Sequence, residues 1–482
     1  MTLEWFRQDK SAVLDALRRK ERPLMATTMA SGPLDELLAL HIELGAFEAL
    51  DRLTTSRQRE GIDDTLLFRT LATLPFLRES ALDPAARLLF QDPAILLRLG
   101  WTPAQIQAGD NHRHRHPDGR QEESLPCHPD TLRDAFRRAA ASAWLKVQRA
   151  GVHPLYERRL VRGKVYAIDG SGLGQGFRLV CLVCVSAARP VIVAWRLLEG
   201  NASEKGKEAA VTRELIEQAL ALGGPECIDL LLADALYCDG PLLAWLAYAQ
   251  GIDVLTVLPS DRQMFADLLG LARRGLLDWT RHRYTRTIQG HKQTRTVEVA
   301  AVGDLTSWDS FVEAGQRHGE PDPRLWACVV REVAPTEQDW EDVMVLVSTR
   351  RWANGFAALQ GFRPRWHIEN DGYRELKEGF GLEQQRWGRD AAAAHCRTAL
   401  TILAFNTAQI YRTRGGAQLA RRGIRRLRQQ SRRQLGPSPV VIFYEDCYAV
   451  LSLEELLDAL GADVRQGLLP KIAPKNQAAH PS

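Results

Sequence analysis

Long apolar runs are absent from this sequence of 482 residues. No stretch of 18 consecutive apolar residues occurs, so we expect no transmembrane helix. The first residues, MTLEWFRQDKSAVLDAL, contain an early acid and no apolar core, which argues against a secretory signal. The eight cysteines lack the spacing of a disulfide scaffold and fit a reducing compartment. We therefore expect a cytoplasmic protein.

Acidic residues are nearly missing from one C-terminal segment. Between residues 386 and 436 there are twelve arginines and one aspartate, with no glutamate and no lysine, although the whole chain has a net charge of only +4. The following residues, 437 to 482, are net acidic. An arginine-rich segment is typical of proteins that bind a polyanion, most often nucleic acid. A solvated tail is the alternative.

The central region has the pattern of a covered sheet. Three apolar strands are predicted from KVYAIDGSG, FRLVCLVCVSA and RPVIVAWRLLEG, and two more from residues 228–233 and 252–259. Helices are predicted at 203–223 and after Pro241, which gives the order β-β-β-α-β-α-β. Apolar strands with intervening helices indicate a sheet covered on both faces. The predicted fold class is therefore α/β with a mixed sheet.

The flanking regions differ from this core. Residues 1–150 are predicted to form a helical N-terminal domain, and residues 160–260 the first part of the core. Residues 261–350 alternate polar and apolar side chains and are predicted to be a β-rich insertion. Residues 351–412 would complete the core, and residues 413–482 form a basic and then acidic C-terminal region. One predicted helix, residues 128–151, has an arginine face that would meet either DNA or solvent.

The stretch FRPRWHIENDGYRELKEG, residues 362–379, places a carboxylate within an apolar helix face. On a wheel of 100° per residue, five residues fall within about 40° of Glu369: Phe362, Arg365, Tyr373, Leu376 and Phe380. The acids at 371, 375 and 378 point away, as on a solvated face. A partly buried Arg365–Glu369 ion pair is the simplest interpretation, because burying an unpaired charge is costly.

Two further acids follow predicted strands that would be neighbours. Asp169 follows the first strand and Asp234 the fourth, and Glu369 would supply a third carboxylate from a later helix. Carboxylates brought so close repel one another unless a hard cation lies between them. Two Mg²⁺ ions roughly 4 Å apart can activate water and stabilise the leaving oxygen of a phosphodiester. In that arrangement Arg365 would contact a DNA phosphate or hold Glu369 in place.

Three segments resemble the acidic motifs of the IS4-type DDE transposases: AIDGSG, LLADALYCDG and RPRWHIENDGYRELKEG. The resemblance covers about residues 160 to 410, over half of the chain. The third motif of that family reads Tyr, two residues, Arg, three residues, Glu, six residues, Lys. Arg365 and Glu369 are in register with it, whereas Phe362 takes the Tyr position and Leu376 the Lys position, with Lys377 one place later. Tyr237 completes the D-x-x-Y of the second motif.

This resemblance implies an RNase H-like core with a β-rich insertion, and an enzyme that cuts DNA at the ends of a mobile element and joins them to target DNA. By the same analogy, the helical N-terminal domain, residues 1–150, would bind DNA and recognise the inverted repeats at those ends. The resemblance also implies that Asp169, Asp234 and Glu369 are catalytic and bind two Mg²⁺ ions, which Mn²⁺ would replace. Six residues are predicted to contact DNA: Arg365, Lys377, Tyr373, Tyr237, Arg386 and Arg389. The partners would be double-stranded DNA at element ends and target, and a second copy of the chain, on the nucleoid and away from membranes.

Three alternatives remain at this point. A metal-dependent DNA nuclease with the same core would cut without joining. A non-catalytic or domesticated DNA-binding relative would not depend on the three acids. The acids would otherwise form a cation site with a purely structural role.

Overall fold

The computed structural model describes residues 7–28, 33–53, 55, 61–102, 105–106, 125–174, 176–187, 189–199, 207–288, 291–333, 343–384, 386–415, 423–435, 440–451 and 453–461. These residues form a mixed α/β structure that divides into two compact units. The first unit comprises Met1–Ala39, Arg59–Asp134 and Arg426–Ser482. The second comprises Leu40–Gln58 and Ala135–Arg425.

Helices occur along the whole described chain. The α-helices are Lys10–Arg18, Pro33–Glu43, Ala46–Leu50, Asp64–Thr73, Leu82–Phe90, Pro93–Leu99, Pro129–Arg138, Ala141–Glu157, Lys207–Gly223, Gly240–Ala244, Gln263–Arg273, Asp309–Arg317, Gly355–Phe362, Ala391–Arg414, Ile424–Gln434 and Leu453–Ala459. Short 3₁₀ turns lie at Leu74–Phe76, Ala235–Tyr237 and Arg363–Arg365, and π-helical turns at Trp245–Ala249, Ile368–Tyr373 and Glu375–Gly379. Among the described helices, none is both long enough and apolar enough to cross a membrane.

Thirteen strands are present in the described residues. In chain order, β1 to β13 are Arg7–Gln8, Met25–Thr28, Val165–Gly174, Phe177–Cys184, Val191–Glu199, Leu230–Ala233, Asp253–Val257, Trp279–Ile288, His291–Leu305, Leu325–Glu332, Val343–Ser348, Val440–Phe443 and Cys447–Leu451. They form a four-stranded sheet of order β1-β13-β12-β2 and a nine-stranded sheet of order β5-β4-β3-β6-β7-β11-β10-β9-β8.

The five strands predicted from the central sequence lie together at one end of the nine-stranded sheet. β3, β4 and β5 are antiparallel neighbours, and β6 and β7 run parallel to β3. All four residues of β6 are buried, because helices such as Lys207–Gly223 and Gly240–Ala244 pack on the sheet and share its apolar core. The predicted strand order and the adjacency of the first and fourth strands are confirmed.

The β-rich segment after residue 261 continues the same sheet. β11 pairs antiparallel with β7, and β10, β9 and β8 follow in an antiparallel series. Two helices, Gln263–Arg273 and Asp309–Arg317, interrupt the segment. The predicted insertion is therefore an extension of the core sheet rather than a layer of its own.

The compact units differ from the predicted domain boundaries. Residues 40–58 and 135–150, expected in the N-terminal domain, belong to the unit that contains the nine-stranded sheet. The first unit instead combines N-terminal and C-terminal segments, because β1 and β2 pair with β13 and β12. The helix predicted at residues 128–151 is two helices, with a break at Ala139 and Ala140. Hydrophobic periodicity reports which face is buried and does not report which distant segment covers it.

Candidate active site

Two aspartates lie side by side at one edge of the nine-stranded sheet. β3 and β6 are parallel, and Ile168 is paired with Ala233 in their register. Asp169 directly follows Ile168, and Asp234 directly follows Ala233. Their backbones are therefore neighbours at a strand spacing of about 4.8 Å. The apolar strands fix this position because their buried side chains specify the register.

Each aspartate is oriented by the amide that follows it. Asp169 Oδ1 accepts a hydrogen bond from the Gly170 amide at 2.8 Å. Asp234 Oδ1 accepts one from the Ala235 amide at 2.8 Å and caps the turn Ala235–Tyr237. A carboxylate accepts several hydrogen bonds, so each side chain retains acceptor capacity beyond this contact.

Glu369 lies on a helical segment, residues 355–379, that we call the motif helix. Within it, Ile368–Tyr373 and Glu375–Gly379 are π-helical. Such turns are rare and are found frequently at functional sites. Glu369 sits in the first of them, four residues before Tyr373.

Tyr373 attaches the motif helix to the strand that carries Asp169. The single proton of its buried hydroxyl is shared between the backbone carbonyls of Asp169 and Leu179, the latter at 3.0 Å. The amide of Cys181 donates to the same hydroxyl at 3.1 Å. Because one of the acceptors belongs to Asp169 itself, this contact fixes the position of the Glu369 turn relative to the first aspartate.

Arg365 and Glu369 form the ion pair considered from the sequence. Arg365 Nη2 lies 2.9 Å from Glu369 Oε1, and the side chains are 6% and 38% exposed. The guanidinium also lies over the ring of Trp366, at 4.9 Å from its centroid. Arg365 Nε and Nη1 have no hydrogen-bond partner among the described residues. The cation is thus buried beneath the acid and held to it through one nitrogen.

The electrostatics of Asp169 show that the acids form one group. The pKa of Asp169 is raised to about 6, mainly by burial, and the nearby carboxylates of Glu369 and Asp234 contribute to the rise. The Gly170 amide and the Arg365 guanidinium act in the opposite direction. A carboxyl group whose pKa is raised by burial and by like charges is characteristic of a functional site.

The three acidic side chains are chemically suited to bind a hard divalent cation. All three side chains are carboxylates, and oxygen ligands are those that Mg²⁺ prefers. Within the described ranges, no group of three or more histidine, cysteine, aspartate or glutamate side chains is arranged to hold a metal ion. In this conformation Glu369 Oε1 is paired with Arg365.

Comparisons with known proteins do not identify the chain. No family model matches it, and no curated protein matches it. A functional interpretation therefore depends on the residues of the site and their surroundings.

Burial changes the roles of three residues predicted to contact DNA. Tyr373, Tyr237 and Arg365 are only 5%, 2% and 5% exposed, so none of them presents a surface to a phosphate in this conformation. Tyr373 and Arg365 instead position the acids, and Tyr237 lies in the apolar core of the sheet. Tyrosines in these motifs have a large apolar area, which favours packing over solvent contact.

The other three predicted contacts are accessible to different degrees. Lys377 is paired with Glu383 at 2.6 Å and is 21% exposed. Arg386 and Arg389 are exposed and lie between the motif helix and Ala391–Arg414. Both side chains are therefore accessible to a polyanion in the described part of the chain.

One buried ion pair was not predicted from the sequence. Glu375 was expected on a solvated face, but its carboxylate accepts hydrogen bonds from Gln409 at 2.6 Å and from Arg412 at 2.8 Å. The Arg412 side chain is 4% exposed and that of Glu375 17%. Arginine within the largely buried helix Ala391–Arg414 was the available signal, because a buried cation requires a partner.

Proposed function

We propose that this chain is a DDE transposase of the IS4 type, which cleaves DNA at the ends of a mobile element and transfers those ends into target DNA. The observation that carries the proposal is that Asp169 and Asp234 follow paired residues of the parallel strands β3 and β6, while the charges of Asp234 and Glu369 both raise the pKa of Asp169. The neighbouring positions of the first and fourth strands support an RNase H-like core for the second unit.

In this proposal the three acids would hold Mg²⁺, and Mn²⁺ would replace it. The bound metal would supply activation of the attacking water or 3′-hydroxyl and stabilisation of the leaving oxygen of the phosphodiester. Tyr373 would keep the Glu369 turn in place on β3 through its hydrogen bond to the Asp169 carbonyl. Arg365 would neutralise Glu369 while the site is free of metal, since its guanidinium is already beside that carboxylate.

The exposed arginines support the choice of substrate. Arg386 and Arg389 follow the motif helix directly along the chain and begin the arginine-rich segment. Cations at this place would neutralise phosphates of a duplex that enters the site. We propose double-stranded DNA as the partner, with two copies of the chain acting on paired element ends.

The decisive experiment incubates purified protein with a supercoiled plasmid that carries the DNA flanking its gene, in Mg²⁺, in Mn²⁺ and in EDTA. Glu369→Gln should lower the rate of cleavage by at least about 100-fold, because even residues behind metal ligands contribute roughly 10- to 100-fold. Glu378→Gln is the matched control, since Glu378 lies exposed on the same helix, and it should cleave like the wild type.

Three outcomes separate the alternatives. Metal-dependent breaks at the element boundaries with free 3′-hydroxyl ends, followed by joined products, support the transposase. Breaks without joined products indicate a nuclease. Binding of DNA by the wild type without any breaks would leave a non-catalytic relative, and Glu369 would be only half of an ion pair.

A further inference from the structure

A cluster of positively charged side chains, separate from the three acids, lines a groove of the second unit. The groove has a volume of about 950 Å³ and is formed by the helices Ala46–Leu50 and Ala141–Glu157 with the residues beside them. None of its lining residues belongs to β3, to β6 or to the motif helix. It is therefore a separate surface from the candidate active site.

Four exposed cations line this groove: Arg52, Arg138, Lys146 and Arg149. Within the described part of the chain, none of the four is in an ion pair. Two neighbouring arginines behave differently, because Arg137 pairs with Asp390 and Arg158 with Glu43. Of these six basic side chains, the four without an ion pair among the described residues are thus the ones that line the groove.

Helix geometry arranges part of this charge in a row. Lys146, Arg149 and His153 are spaced by three and four residues, so they share one face of the helix Ala141–Glu157. At a rise of 1.5 Å per residue, the row extends for about 10 Å along the axis. Glu48 and Glu157 also line the groove, and Glu157 lies 3.4 Å from His153. Four permanent positive charges therefore exceed two negative ones.

The lining favours a phosphate backbone over a nucleotide. Apart from His153, the described residues that line the groove are not aromatic, so a base would find no ring on which to stack. Exposed arginine and lysine side chains in a row are instead the groups that neutralise successive phosphates of a duplex, and they carry no sequence information.

We propose that this groove binds the phosphate backbone of double-stranded DNA without sequence preference, as a second contact beyond the catalytic acids. The proposal rests on the proposed function only in taking DNA to be the substrate. This proposal gives a role to the arginine face predicted for residues 128–151, which is not part of the candidate active site.

The test measures binding of a 30-base-pair duplex of arbitrary sequence by fluorescence anisotropy in EDTA, between 50 and 200 mM KCl. The double variant Lys146→Ala/Arg149→Ala should bind more weakly and should reduce the slope of log K against log[salt] by about 2, or roughly 1 for each lost phosphate contact. The matched control is Arg137→Ala/Arg158→Ala, which removes two paired arginines and should leave the slope within about 0.5 of the wild type.

The charge-preserving variant Lys146→Arg/Arg149→Lys guards against a folding effect, and it should retain the slope of the wild type. An unchanged slope in the alanine variant would overturn the proposal. A loss of ATP or inorganic phosphate binding with an unchanged duplex slope would also overturn it, and would indicate a small anion as the ligand. Because the assay contains no metal, its result is independent of the cleavage experiment that decides the proposed function.

Discussion

The hydroxyl of Tyr373 offers the sharpest test of how the candidate site is held together. Tyr373→Phe removes one oxygen and leaves the ring in place, so the apolar packing of the motif helix is retained. The Cys181 amide loses its acceptor, and the carbonyls of Asp169 and Leu179 lose the one proton that they share. A buried polar group left without a partner costs about 1–3 kcal/mol, and we expect a local loss of about 2 kcal/mol.

Amide hydrogen exchange measures this loss where it occurs. A local destabilisation of about 2 kcal/mol corresponds to a roughly 30-fold increase in the opening equilibrium, which should appear as faster exchange in β4 around Cys181. The matched control is Tyr444→Phe, because the Tyr444 hydroxyl donates one exposed hydrogen bond, to the Glu21 carbonyl at 3.0 Å. Unchanged exchange of β4 in Tyr373→Phe would refute the idea that this hydroxyl attaches the motif helix to the sheet.

Two further predictions concern charge. In EDTA, the contribution of Asp169 to the free energy of unfolding should rise as the pH falls from 6 to about 4, because its raised pKa, about 6, lets the folded state bind a proton that the unfolded chain does not yet bind. Asp169→Asn should remove about 2 kcal/mol of the change between pH 6 and pH 4 in urea titrations, and equal dependence in both proteins would contradict the assignment. Glu375→Gln should lower the free energy of unfolding by about 3–5 kcal/mol, because it leaves the buried Arg412 without its counter-charge. Urea unfolding should show no such loss for the exposed Glu378→Gln, and equal stability of the two variants would contradict the importance of the pair.

The strands of the sheet and the positions of the two aspartates were predictable because short stretches of the sequence determine them. Apolar residues fill β6, and small or polar residues follow it, so the end of the strand at Asp234 is evident from composition. The adjacency of Asp169 follows from the strand order alone. Both arguments depend only on the alternation and burial of strand residues.

The motif helix was predicted less accurately, because a wheel of 100° per residue assumes regular α-helical turns. The segments Ile368–Tyr373 and Glu375–Gly379 are π-helical, so directions after Glu369 differ from those on the wheel. Glu375 consequently reaches Arg412, on a helix more than thirty residues later in the chain. Contacts of this kind depend on tertiary packing, which single-sequence periodicity does not contain.

The four-stranded sheet has a consequence for the order of events during synthesis. β2 pairs with β12, Met25 opposite Phe443, and β1 pairs with β13, Arg7 opposite Cys447. At roughly 5–20 residues per second, β2 leaves the ribosome about 20 to 80 s before its partner exists. Through that interval the nine-stranded sheet can form from continuous chain, whereas β2 carries unpaired backbone groups. The first strands to be made are therefore among the last to be paired, and a chain that stops before residue 440 leaves β2 without its partner strand.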